Sequence, residues 1–168
     1  MKINSFFPFL LLIAILASGC YSFQGISIDY ASTKTFAMPT FNVAASQADP
    51  TTGLRLTEKL RQKVLQTTRL TYKTEEPDVD FAGSIVGFNV SSLAPGANNI
   101  ATLSRLEMAV SVTYTDHKNE KNTWTQNFTR FADFDPSKNN FEIVKSELIR
   151  QINDLLIEDI FNKAFGNW

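Results

Sequence analysis

The stretch "RLEMAVSVTYTD", residues 105 to 116, alternates without a break. Leu106, Met108, Val110, Val112 and Tyr114 are apolar, and Glu107, Ala109, Ser111, Thr113 and Thr115 between them are polar or small. A period of two puts the first set on one face of a strand and the second on the other. The chain must therefore build a sheet with one covered face and one wetter face, and another part of the chain must supply the cover.

Two segments have the pattern to do so. In "DPTTGLRLTEKLRQKVLQTT", Asp49 is a candidate N-cap and Pro50 a first helical residue. Leu56, Leu60 and Val64 then recur at four-residue spacing among charged neighbours, which makes one face of a helix apolar. The C-terminal "NNFEIVKSELIRQINDLLIEDIFNKAF" starts at a cap, Asn139 or Asn140, and carries Phe141, Val144, Leu148, Ile152, Leu155 and Ile160 along one side. Leu156, Ile157, Phe161 and Phe165, with Trp168 beyond, spread over a wider arc than one sheet face needs. Packing within the chain is one reading of that excess, and contact with a partner, the tether or a membrane surface is the other.

Three further segments read as strands. Residues 35 to 43, "TFAMPTFNV", form a first strand in which Pro39 lacks an amide, as at an edge or bulge. Residues 81 to 90, "FAGSIVGFNV", are apolar on both parities with two glycines, as in a central strand with bulges or close backbone contacts. "TWTQNFTRFADF" follows the polar loop "DHKNEKN" and completes a hairpin, with Gln126 and Arg130 on the parity of Trp124 and Phe128. The order β-α-β-β-β-α predicts an α+β two-layer sandwich, with both helices on one face of a mixed four-stranded sheet and a right-handed first crossover. A content of 43% hydrophobic and 12% aromatic residues suffices for one such core.

The N-terminus reads differently. "LLIAILASGC" ends at Cys20, the only cysteine in the chain. The apolar run before it is too short to span a bilayer, contains Pro8 and shows no helical stripe. Lys2, the short apolar run and the small residues before the junction make a secretory signal peptide, and "LASGC" resembles the bacterial lipoprotein signal. That signal differs from the usual pattern in having Ala17 three places before the cysteine and Leu16 one place further out. Residues 1–19 are then a signal peptide, 20–33 a lipidated tether starting at an acylated Cys20, and 34–168 one domain. A lone cysteine forms no internal disulfide, so the mature domain is held by its core.

Catalytic constellations fail one by one. His117, the single histidine, lies in a polar turn and reads as a solvated loop residue. No nucleophile elbow, zinc-protease pair or phosphate loop occurs. Glu75, Glu76, Asp78 and Asp80 lack the glycine and the closing glutamate of a calcium loop, and read as a solvated loop before a strand. No metal, cofactor or enzymatic activity is expected. Sixteen basic against seventeen acidic residues give a net charge of -1, which excludes a nucleic-acid binder that relies on a global positive field.

The strings "YSFQG", "KTFAMPTFNVAA", "FAGSIVGFNV", "RLEMAVSVTY", "FTRFADF" and "EDIFNKAFGNW", in this order behind the lipoprotein signal, resemble the LptE family in its Bacteroidetes form. The resemblance implies two helices on a four-stranded mixed sheet, and a non-enzymatic outer-membrane lipoprotein. That lipoprotein plugs and helps assemble the β-barrel of LptD and assists delivery of lipopolysaccharide to the outer leaflet. It also implies a diacylglycerol and a further chain such as palmitate on Cys20, enough for stable anchoring. Tyr21, where an aspartate would retain the protein at the inner membrane, favours the outer membrane. A phosphorylated glycolipid would be met by cations at strand ends, here Arg105 and, at the other end of that strand, Lys118 with Lys121. A pilotin or scaffold lipoprotein for another envelope barrel or secretin is the alternative, and an envelope enzyme with an unrecognised site the third reading.

Overall fold

Alternation decides the centre of the structure. In the computed structural model, which describes residues 27–93 and 103–166, β5 (Ser104–Asp116) buries every second residue from Ser104 to Asp116. It pairs antiparallel with β4 (Val79–Ser92) on one side and β6 (Trp124–Phe134) on the other, so three long strands form a meander. Residues 1–26, with Cys20, and residues 167–168, with Trp168, lie outside the described residues.

The parallel half of the sheet is made of short strands. β1 (Thr35–Ala37) lies between β3 (Thr71–Tyr72) and β4, parallel to both, and β2 (Asn42–Val43) also runs parallel to β4. Helix α1 (Thr51–Thr67) makes the crossover between them, and α2 (Phe141–Phe165) ends the fold. The α+β class, the two helices and the mixed sheet are as expected, but the sheet has six strands and not four. Two physical reasons account for the difference. Pro39 interrupts the segment expected to be one strand, which resumes against another part of β4; and Thr71–Tyr72 is too short to carry a period yet satisfies β1 across the crossover.

Both glycines of β4 have work that a side chain would prevent. The register shifts between Ile85 and Gly87, and the Ala44 and Ala45 amides both donate to the Ile85 carbonyl at 3.0 Å. At Gly83 an added Cβ would lie 2.4 Å from the ring of Phe41, which occupies the space above it. The Phe41 carbonyl in turn sits where a Cβ on Gly53 of α1 would be, at 2.3 Å. Phe41 also donates its amide to Thr57 Oγ1 at 2.8 Å, and that hydroxyl donates to the Gly53 carbonyl at 2.8 Å. One buried residue thus seats the first turns of α1 on the central strand.

Helix α1 starts one residue later than its sequence signal: Asp49 Oδ1 accepts from the amide and hydroxyl of Thr51, both at 2.7 Å. Asn140 caps α2 by accepting from the Glu142 amide at 3.0 Å. Lys59 donates to Asp154 at 2.8 Å and Lys63 to Glu158 at 2.6 Å, so the two helices run side by side in the same direction. Being hemmed by α1 as well as by the sheet explains the wide apolar arc of α2. Leu156, Ile157, Phe161 and Phe165 are all buried, with Phe165 set edge-on to Phe81 at 5.8 Å and to Tyr114 at 6.1 Å. They form core with the sheet and leave little surface for a partner. Arg130, on the covered face of β6, reaches the margin of α2 and makes a two-point ion pair with Asp159 at 2.5 and 2.6 Å.

Gly83→Ala is expected to destabilise the domain by about 1–3 kcal/mol through overpacking, and Phe41→Ala by about 3–5 kcal/mol through the cavity it leaves. In urea denaturation the double variant should cost less than the sum, because removing the ring removes the clash; strict additivity would show that the two residues do not meet.

Candidate functional site

At the end of the sheet where β4 begins and β5 ends, three parts of the chain enclose an open basin of about 1010 Å³. Residues 27–33 form one wall, the β5–β6 hairpin loop another, and the last turn of α2 the third. The Ser27 amide donates to the Phe165 carbonyl at 2.7 Å, which fastens the first wall to the helix end. Asp29 makes that wall rigid by accepting from the Ala31 amide at 3.0 Å and the Ser32 hydroxyl at 2.9 Å, bonds that hold its carboxyl below the ordinary range.

The hairpin loop is built around Asp116. Buried at the end of β5, its carboxylate accepts from the amides of Lys118 and Asn119 at 2.9 and 2.8 Å and from Asn122 Nδ2 at 3.0 Å. A 3-10 turn (Glu120–Asn122) then leads to Trp124, which stacks on Tyr114 at 5.7 Å. Burial, and secondarily the nearby Asp116 charge, push the Tyr114 hydroxyl up, so it stays neutral.

Cations remain for a ligand. Lys118, Lys121 and Lys163 all line the basin, and neither Lys121 nor Lys163 makes an ion pair among the described residues. The carboxylates of Asp29 and Asp116 accept the bonds above, Lys118 is paired with Asp78 at 3.2 Å, and Lys121 and Lys163 are left as exposed ammonium groups. The basin therefore suits an anionic group flanked by hydroxyls, with the Trp124 and Tyr114 rings as an apolar edge.

Lys118 and Lys121 lie in one loop, and Lys163, from the far end of the chain, lines the same basin. Arg105 is not part of the basin: the length of β5 separates them, roughly 40 Å by strand rise. Its guanidinium donates to both oxygens of Asp133 at 2.7 and 3.0 Å and lies 3.5 Å from the centre of the Phe131 ring. Its charge is spent on the sheet.

The acidic stretch before β4 is also structural, and more so than a solvated loop. Asp78 Oδ2 accepts from the amides of Lys34 and Thr35 and from the Thr35 hydroxyl, each at 2.9 Å, while Lys118 lies 3.2 Å from Oδ1. The Lys34 amide, then the Thr35 hydroxyl and Lys118, hold this carboxyl well below the usual range against the opposing effect of burial. Asp80 meets His117 Nε2 at 2.5 Å, which gives the histidine a bridging role across two strands. No group of three or more metal-ligating side chains occurs among the described residues, and no helix among them is long and apolar enough to cross a membrane.

A carboxyl whose folded-state pKa is lowered adds stability that is complete above its unfolded value, about 3.9, and is lost as pH falls below it. Asp78→Asn should therefore cost about 1–3 kcal/mol at neutral pH. In thermal melts the gap to wild type should narrow between roughly pH 5 and pH 3, and a gap independent of pH would mean that the carboxylate charge is not what the Lys34 and Thr35 amides hold.

Comparison with known proteins returns the same architecture. A minor lipoprotein from Acinetobacter baumannii superposes with a TM-score of 0.51 at 13% identity, covering 77% of this chain and 91% of that one. A protein from Xanthomonas campestris does so with a TM-score of 0.54 at 8% identity, covering 78% and 84%. At such identities the likeness shows the fold alone. No curated protein matches the sequence. The model of the LptE family, described as lipopolysaccharide-assembly, matches residues 33–164, which take in every described strand, α1 and all of α2 but its last residue, and the chain therefore belongs to the LptE family.

Proposed function

We propose that this protein is the lipid-anchored plug of an LptD-type outer-membrane barrel, acting without catalysis in barrel assembly and in delivery of lipopolysaccharide to the outer leaflet. The match of the LptE family over residues 33–164 carries the reading. The open face of the sheet supports it: across its middle run Ala82, Thr113 and Thr125, then Ser84, Ser111 and Asn127, in register on adjacent strands. This middle stretch, small or polar, uncharged and with hydroxyls at four of its six positions, suits the polar interior of a barrel. Cys20 would carry the acyl chains, and residues 20–33 the tether that leads to the basin. The anionic part of the glycolipid would meet Lys118, Lys121 and Lys163 there.

The deciding experiment is mild detergent extraction of the tagged protein followed by identification of the barrel that accompanies it. An LptD-type barrel is expected, whereas a secretin or an unrelated barrel would transfer the protein to the pilotin class. Cys20→Ala should lose incorporation of a palmitate analogue and leave the circular dichroism of the domain unchanged; a wild type that takes up no label would end the lipoprotein reading.

Lys118→Glu with Lys121→Glu should weaken binding of purified lipopolysaccharide at low salt by about tenfold or more. Arg105→Ala should change it by less than about twofold, since Arg105 sits at the other end of β5 from the basin, and salt should narrow the difference. Equal binding by all three proteins would remove the basin from the proposal.

A further inference from the structure

The two edges of the sheet are unequal. In the order β3-β1-β4-β5-β6 one edge is β3, 2 residues long, and the other is β6, 11 residues long. β6 pairs with β5 from Trp124 to Phe134 without a register shift. In an antiparallel pair every second residue turns both its N–H and its C=O away from the neighbour. Outside β5, those groups of β6 have no backbone partner among the described residues.

A long free edge recruits other strands unless something prevents it, and domains prevent it with lysine, proline, a bulge, an inward charge or brevity. β6 carries no lysine, proline or bulge. Its inward charge, Arg130, is neutralised by Asp159, and its other charge, Asp133, by Arg105. Apolar surface flanks the edge on both sides of the sheet. Phe131 on the open face is 46% exposed, and Leu155, one turn before Asp159 on the same flank of α2, is 47% exposed. A row of alternating N–H and C=O groups at strand spacing is matched by extended backbone, so the occupant is a β-strand.

The sequence of β6 selects the strand. Laid antiparallel on itself about Thr129, it pairs over its whole length and sets no like charges opposite each other. On the covered face Arg130 then meets Phe128 of the copy, Gln126 meets Ala132 and Trp124 meets Phe134. On the open face Thr129 meets itself, Asn127 meets Phe131 and Thr125 meets Asp133. A guanidinium beside an aromatic ring and a threonine beside a threonine are favourable cross-strand pairs. Centring on either neighbour shortens the ladder, and centring on Arg130 sets two guanidinium groups face to face.

We propose that two copies of this chain associate edge to edge, β6 antiparallel to β6 about Thr129, so that their sheets become one. The contact runs along the edge of the sheet and not across its open face, and it does not require the barrel assignment.

Directly opposed residues in such a pair have Cα atoms about 4.5–5.5 Å apart, within reach of a disulfide. Thr129→Cys in the full-length protein, oxidised in intact cells, should therefore give a species of twice the mass on a non-reducing gel, above the background of the wild type, whose one cysteine is Cys20. Asn127→Cys and Phe131→Cys should link when co-expressed and not when either is alone, because each lies roughly 13 Å along the strand from its own counterpart. Adding Thr129→Lys to that co-expressed pair should lower the linked fraction about fivefold by opposing like charges. Thr129→Lys in one copy with Thr129→Asp in the other should restore it. The proposal is overturned if Thr129→Cys gives no doubled species, if Asn127→Cys alone links as well as the co-expressed pair, or if the yield ignores Thr129→Lys. Linkage to a different protein in place of the doubled species would give the edge to that protein and overturn the proposal as well. Barrel co-purification can succeed when no doubled species forms, and the reverse, so the two readings stand or fall separately.

Discussion

Phe41 is the residue on which the two layers are joined. Its ring fills the space over Gly83, its carbonyl takes the space beside Gly53, and its amide is held by Thr57. Backbone meets backbone and side chain directly here, at the end of the sheet where the parallel strands are short. Those strands are two or three residues long and would not hold by pairing alone. They persist because Arg61 donates to the Met38 carbonyl at 3.0 Å and lies over the Tyr72 ring at 4.8 Å, so that α1 staples the segments it connects.

The second joint is at the basin. Asp78 binds the chain just before β1 and meets Lys118, while His117 returns its amide to the Asp78 carbonyl at 2.9 Å and its ring to Asp80. The start of the first strand, the start of β4 and the hairpin loop are therefore one unit. Residues 27–33 attach to the same unit through Phe165.

Much of the fold is legible in the sequence. The period of two in β5 and the four-residue spacing in α1 predict a one-sided sheet and its cover, because burial of apolar area rewards only those registers. Pro39 marks the first strand as imperfectly paired without showing that it divides into β1 and β2, and the two glycines of β4 point to a bulge and a close approach. What stayed hidden was set by partners distant in sequence. β3 has no period to detect in Thr71–Tyr72. His117 looked like an ordinary turn residue because Asp80 is 37 positions away. Arg130 looked misplaced on a covered face until Asp159 stood opposite it.

The sequence by itself determined the class of fold and the covered face of the meander, since each follows from local period and local turn chemistry. Only the tertiary structure decided what the charges and the excess apolar surface are for. Arg105 and Lys118 are equivalent on paper, but one is folded onto Asp133 and Phe131 and the other pairs with Asp78 at a basin that Lys121 and Lys163 also line. Leu156, Ile157, Phe161 and Phe165 were ambiguous between core and partner surface, and the neighbouring parallel helix made them core. A side chain's chemistry is read from its identity, but whether that chemistry is spent or available depends on what the fold brings within a few ångströms of it.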